Sequence, residues 1–157
     1  MLLSFFEWCD ATALGAGVRN SMWLFPAIEA IHLLGLCVLG GSLLVVDLRL
    51  LGVGLKRQTI SELADQAGRW LAGAIVVMAV TGILLFLSEA VKCYYNQSFW
   101  VKMTTLPIAL LFTFTVRSRI THTGGIDTSV RTRLVGATSI ALWFTVAAAG
   151  RWIGFSS

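Results

Sequence analysis

The stretch whose reading decides the fold runs from Met22 to Leu51, MWLFPAIEAIHLLGLCVLGGSLLVVDLRLL. It exceeds the ~20 apolar residues that a bilayer-spanning helix needs, yet Glu29, His32 and Asp47 stand among its aliphatic residues. On a helix that advances about 100° per residue, Glu29 and Asp47 share a bearing and His32 lies about 60° from them. Leu36, Gly40 and Leu43 complete the same narrow stripe. A membrane helix that gathers its ionisable groups on one side turns that side away from lipid. Other helices must therefore cover it.

The 157-residue chain is 57% hydrophobic and 13% charged, with a mean hydropathy of +0.81. Soluble domains carry roughly 25% charged residues, which excludes a water-soluble globule, and the length suits one compact transmembrane domain over residues 1–157. The net charge of +4 does not point to nucleic acid, because the cations sit between apolar runs, where membrane topology accounts for them. Cys9, Cys37 and Cys93 are far apart and form no CxxC, so neither a zinc site nor a disulfide framework is indicated.

Residues 1–21 lack a basic leader, and Glu7 and Asp10 interrupt their apolar run, unlike a cleavable signal peptide. Leu2, Leu3, Phe5, Phe6 and Trp8 predict a short helix in the membrane interface, with a loosely ordered tail as the alternative. The first span covers about 23–51, with Pro26 in its opening turns. A polar connection, 52–69, follows, in which Ser61 with Glu62 and Asp65 caps a short lead-in helix. The second span is expected over 70–91 and the third over 99–116, with a kink at Pro107. On the third, Lys102, Thr105, Ala109 and Thr113 share a face. A basic connection from Arg117 to Arg133 contains a turn at THTGG. The fourth span, 134–155, carries a stripe of Gly136, Ser139, Trp143, Ala147 and Gly150 suited to close helix packing. The expected fold is all-α: a four-helix transmembrane bundle with a short N-terminal interfacial helix.

Orientation follows from the cations. Arg49, Lys56, Arg57 and Arg69 follow the first span and Arg117, Arg119, Arg131 and Arg133 the third, whereas the other boundaries hold only Arg19, Lys92 and Arg151. By the positive-inside rule, both termini lie on the outer side.

That topology collects Glu29, His32, Glu89, Lys102 and Arg151 in the outer leaflet. Each costs several kcal/mol if left alone in hydrocarbon, so pairing across the bundle is expected. A structural salt-bridge network is the bland reading, and Glu89, Lys102 and Arg151 are near enough to the interface to snorkel. Glu29 and His32 lie deeper, ~10–15 Å below the start of the span, and favour a functional role. Glu29-x-x-His32 has di-iron spacing, but a di-iron bundle needs a second copy and two further carboxylates. Bis-histidine haem ligation fails, because His122 falls in the connection at the other face. Two options stay open: a haem held by His32 with a methionine, lysine, water or nothing opposite, and copper(I) held by His32 with Met22, Met103 or Cys93. Plain packing is the alternative for the methionines. Near the other face Asp47 points inward, while Arg49, about 160° away from the polar stripe, points toward headgroups. Cys9 and Cys93 map to the same side, and spacing alone does not decide whether they pair. His122 reads as a solvated loop residue.

The run IEAIHLLGLCVLGGSLLVVDLRLLG resembles the first helix of small bacterial membrane proteins in the copper-resistance protein D and HemJ-type superfamily. There a histidine opens the span, a Gly-Gly pair follows, and an acidic or Pro-Arg-Leu element closes it. SFWVKMTTLPIALLFTF resembles that superfamily's third span, an aromatic residue, then lysine, then an apolar run. The pattern covers nearly the whole chain. The resemblance implies a bacterial inner-membrane protein with periplasmic termini, His32 as haem or metal ligand, and Lys102 as its functional partner. The HemJ-type members, which are protoporphyrinogen oxidases, carry a tryptophan element where this chain reads VLGGS, and Pro-Arg-Leu where it reads Val46-Asp47-Leu48-Arg49. The copper-resistance members work with a periplasmic copper-binding partner.

The resulting expectation is a redox cofactor, b-type haem or copper, bound around His32 in the outer leaflet, for electron transfer or for metal or haem handling. Glu29 would orient the imidazole or carry protons, and Lys102 would balance a propionate or another anion. Whether the protein is an enzyme stays open. The alternatives are a non-catalytic subunit or assembly factor bound to a membrane or periplasmic protein or to its own copies, and a small transporter using the cluster as a midplane site.

Overall fold

The structure, a computed structural model, describes residues 1–54, 57–123 and 129–155. Lys56 and the glycines of the expected THTGG turn lie outside the described residues. The elements are α1 (Leu2–Asp10), α2 (Ala13–Asn20), α3 (Leu24–Leu50), α4 (Ile60–Ser88), α5 (Ala90–Tyr95), α6 (Gln97–Phe112), a π-helical turn (Thr113–Arg117), α7 (Ser118–Thr123) and α8 (Val130–Ile153). Four helical stretches, Leu24–Leu50, Ile60–Ser88, Gln97–His122 and Val130–Ile153, are long and apolar enough to cross a membrane. The chain is an all-α four-helix bundle with multi-pass membrane character.

Helix boundaries follow local chemistry. Gly52 ends α3 at φ 79°, the left-handed conformation that glycine adopts without penalty. Its N–H reaches Arg49 O, and Val53 N–H reaches Leu48 O, which together make a Schellman turn. The second long helix starts at Ile60, about ten residues before the expected span. Thr59, not Ser61, is its cap: the hydroxyl accepts from Glu62 N–H at 3.2 Å, and the Glu62 carboxylate accepts from Thr59 N–H at 3.1 Å. This capping box turns the expected polar connection into helix. The third long helix runs through Pro107 and continues beyond Val116, and its irregular turn falls at Thr113–Arg117.

We call the end carrying α1, α2, α5 and the last turn of α8 the upper end. There Asn96 Nδ2 donates to Ile153 O at 3.2 Å. Arg19 donates to Asp10 at 2.7 Å and to Ser88 O at 3.0 Å, tying the α1–α2 pair to the end of α4. Phe6, Cys9, Ala90, Cys93 and Phe99 form the upper core, Leu39, Leu43, Leu71 and Ala74 the middle, and Val46, Leu50, Ile60, Leu63 and Val135 the lower. The closest long-helix pairs are α3 with α4 and α6 with α8, and α3 also lies on α8. The small-residue stripe of α8 makes that last contact. A Cβ on Gly136 would sit 2.9 Å from both Asp47 O and Leu50 Cβ, so only glycine permits this approach.

Candidate functional site

The interior of the bundle is tightly packed in its lower half and capped by the upper core, with several inward residues only half-buried between the two. On the inward face of α3, Leu50, Leu43 and Leu39 are 0%, 2% and 4% exposed. His32 lies eighteen residues before Leu50, five full turns along the same bearing, and yet is only half-buried. Parts of α6 and α8 repeat the trend, although Thr81 and Ser88 of α4, Phe99 of α6 and Val146 of α8 stay buried in the upper half. Thr113 and Ala109 of α6 are buried while Leu106 and Lys102 are half-buried, and Gly136 and Ser139 of α8 are buried while Ala147 and Gly150 are half-buried. We refer to this half-buried zone of the upper half, which holds His32 of α3 and Lys102 of α6 within electrostatic reach of each other, as the cleft.

A partner that the sequence reading missed, Thr81 of α4, holds the imidazole. His32 Nδ1 lies 2.7 Å from Thr81 Oγ1, and that hydroxyl donates its single proton to Val77 O at 2.6 Å. Thr81 must then accept from His32, which assigns the ring proton to Nδ1 and leaves the Nε2 lone pair bare. Gly82 lets the ring lie close to α4: a Cβ there would meet His32 Cε1 at 3.3 Å. The one signal available for Thr81 was a hydroxyl within the apolar run AIVVMAVTGILLFL.

Lys102 enters from the opposite side. The end of its side chain lies along α8 at Gly150, 3.6–3.7 Å from where a Cβ would be. The ammonium is within electrostatic reach of His32 and of Cys93. Among the described residues it forms no hydrogen bond or ion pair. A cation so placed costs about 2.5–3.5 kcal/mol on insertion scales, so an anion meeting it there would be strongly favoured. Burial pushes the neighbouring Cys93 thiol up to about 11, with Glu89 adding to the shift and Lys102 and Lys92 opposing it.

The other sequence-predicted residues stand apart from the cleft. Glu29 is exposed and does not hold the imidazole, a task that falls to Thr81. Glu89 pairs within its own segment with Lys92 at 3.6 Å. Arg151 is exposed and stacks on Phe155, 4.5 Å from the ring centre. Met22 and Met103 are exposed, at 87% and 45%. The thiols of Cys9 and Cys93 are both buried in the upper core, and both are free. His122 is exposed at the end of α7. Among the described residues, no three of His, Cys, Asp and Glu are grouped to hold a metal ion.

The strongest polar contact lies below the cleft. Asp47 Oδ1 accepts from Arg117 Nε at 2.7 Å, Asp47 Oδ2 accepts from Ser139 Oγ at 2.6 Å, and Arg117 also donates to Leu43 O at 3.3 Å. Trp143 Nε1 donates to Thr113 Oγ1 at 3.0 Å just above. Asp47 is 1% and Arg117 6% exposed, so one ion pair joins α3, α8 and the π turn in a dry interior. Arg117 had read as the first cation of a loop. Arg49 departs from expectation as well. It is 1% exposed rather than directed at headgroups, because the chain after α3 folds back and Gln58 O accepts from its Nε at 2.9 Å.

The comparisons with curated proteins and with solved structures give no match. A family model, described as a family of unknown function, matches residues 5–156, nearly the whole bundle with its cleft and ion pair. The chain belongs to that family, DUF6644.

Proposed function

We propose that this protein binds a b-type haem in the upper cleft, which His32 would hold through Nε2 and whose anionic groups Lys102 would meet. The observation that carries the reading is the Thr81 contact. A metal-ligating imidazole normally donates its other N–H to a fixed acceptor, which sets its tautomer and raises its basicity, and the Val77–Thr81–His32 chain does this without metal. Haem is favoured over copper by the ligand inventory. Copper held by side chains alone needs several ligands, and the methionines proposed for it, Met22 and Met103, are exposed. A haem brings most of its iron ligands with it, so His32 would be enough to hold it. An unpaired ammonium across the cleft suits a propionate.

A haem so bound would supply one-electron chemistry. The chain's own contribution is to orient the imidazole through Thr81, to present Lys102, and to keep both above a sealed lower half. The resemblance to the copper-resistance protein D and HemJ-type superfamily supports the same residues, and with it an inner-membrane setting in which the upper end is periplasmic. The distribution of arginines favours that orientation. The test is an absorption spectrum of the detergent-purified chain after expression with haem supplied. A Soret band that is lost in His32→Ala and kept in Glu29→Gln is expected. A colourless protein, or a band indifferent to His32→Ala, refutes the reading. A colourless protein that copurifies with another polypeptide would instead favour a non-catalytic subunit.

A further inference from the structure

The seam between α4 and α6 is closed at its two ends. At the upper end Phe86 of α4 and Phe99 of α6 stack, with ring centres 5.7 Å apart and planes inclined by 12°. Phe6 of α1 sets its edge against both, at 5.4 and 6.0 Å. At the lower end α7 packs on α4, and Phe112 and Ile120 join the lower core. Between these closures each helix leans on a different neighbour, α4 on α3 and α6 on α8. The residues facing the seam follow suit. Ala79 and Gly82 lie within about 40° of the Phe86 bearing on α4, and Met103 and Leu106 within about 40° of the Phe99 bearing on α6. Ala79 and Met103 are exposed, and Gly82 and Leu106 are half-buried. The middle of this seam is thus sparsely contacted, and the half-buried Lys102 of α6 and His32 of α3 lie at its level.

The chemistry of the seam restricts what can use it. Its rim is apolar, so a polar solute gains nothing by entering. The aromatic cover of Phe6, Phe86 and Phe99 closes the route along the seam from the upper end. What waits inside is the Lys102 ammonium, with no carboxylate partner among the described residues. We propose that a bilayer-dissolved amphiphile bearing a carboxylate enters the cleft sideways between α4 and α6 and sets that carboxylate on Lys102. The inference rests on the cleft being a ligand site, as the haem reading holds, but not on the ligand being haem. Gly82 is the threshold. A Cβ there would meet His32 Cε1 at 3.3 Å and crowd the ring.

The test uses the full chain in phosphatidylcholine nanodiscs with doxyl-labelled stearic acid as the probe, read by electron paramagnetic resonance. The expected spectrum contains an immobilised component beyond that of empty nanodiscs. That component is lost in Lys102→Gln and in Ala79→Trp, where an indole blocks the seam. It is kept in Val80→Trp, one residue on and turned about 100° away, and it is absent for the methyl ester of the same probe. Circular dichroism and size-exclusion profiles matching wild type confirm that the variants fold. An immobilised component that is missing from wild type, or persists at full size in either Lys102→Gln or Ala79→Trp, overturns the inference. A Soret band in wild type without fatty-acid immobilisation overturns lateral entry and leaves the haem reading standing. Immobilisation without a Soret band sustains lateral entry and removes haem.

Discussion

Replacing Asp47 with leucine strands a guanidinium in the driest part of the bundle. In the native protein both carboxylate oxygens are engaged, one by Arg117 Nε at 2.7 Å and the other by Ser139 Oγ at 2.6 Å. After the change Ser139 can turn its hydroxyl to the carbonyl one helical turn back, but Arg117 keeps only Leu43 O, at 3.3 Å. Removing one partner of a buried ion pair costs about 3–5 kcal/mol, which raises the unfolded fraction by roughly two to three and a half powers of ten. Arg117→Met should cost a similar amount by leaving the carboxylate unpaired. The double variant Asp47→Leu/Arg117→Met buries no charge, and such replacements range from neutral to stabilising. Its stability should lie within about 1 kcal/mol of wild type, giving a coupling energy of at least about 5 kcal/mol in a double-mutant cycle. Equilibrium unfolding in mixed detergent–SDS micelles reads it, with Trp143, which donates to Thr113 beside the pair, as a nearby fluorophore. Single-variant costs below about 1 kcal/mol, or a double variant whose cost is the sum of the singles, would refute the reasoning.

Thr81→Val removes the acceptor of the His32 N–H with little change in shape. Loss of an orienting partner of this kind typically weakens binding 10–100-fold, so haemin titration of purified protein should show that loss, and Thr81→Ser should restore it. Gly136→Ala should cost about 1–3 kcal/mol by overpacking the α3–α8 contact, whereas Gly41→Ala, whose added carbon meets nothing within 4 Å, should be neutral or mildly stabilising, as thermal unfolding would show. With the Cys93 thiol pushed up to about 11, thiol alkylation of the folded protein should rise about tenfold per pH unit up to that value. Because the folded protein holds this proton more tightly than the unfolded chain, whose thiol titrates near 8.5, the contribution to stability is complete below about pH 8.5. It declines as pH rises toward 11, and Cys93→Ala should remove that part of the pH dependence.

The bundle was legible because its signal is compositional: four apolar runs and an inward stripe on the first of them survive any error in boundaries. The inward bearing of Asp47 was legible for the same reason. Its partner was not. The run beyond Val116 carries arginines, which read as loop, and the π turn that helps set the direction of Arg117 leaves no composition to detect. Glu89 and Arg151 show the limit of depth as a guide. Both were placed at the right level along the helices, but level fixes neither side nor partner, and each found a neighbour in its own segment. Arg49 was misplaced because helix bearing says nothing about a connection that folds over the helix end and brings Gln58 O to it. His32 and Lys102 were singled out by residue type alone, since an imidazole and an ammonium in apolar spans are rare enough to stand out. Thr81, whose role depends entirely on its neighbours, was not.

The five-residue π turn at Thr113–Arg117 gives the third helix one place that can absorb a change in length. A π turn stores one residue more than the regular spiral would hold. Deleting Phe114, which faces outward and is 60% exposed, removes a side chain that touches little, and it lets the spiral close. Everything downstream would then keep roughly its present bearing, whereas the same deletion in a regular turn would rotate it by about 100° and carry the guanidinium away from its carboxylate. Relatives of this protein should therefore vary in length in the segments joining the helices and at this one turn, while insertions and deletions between Pro107 and Phe112 are selected against in every branch that keeps the aspartate.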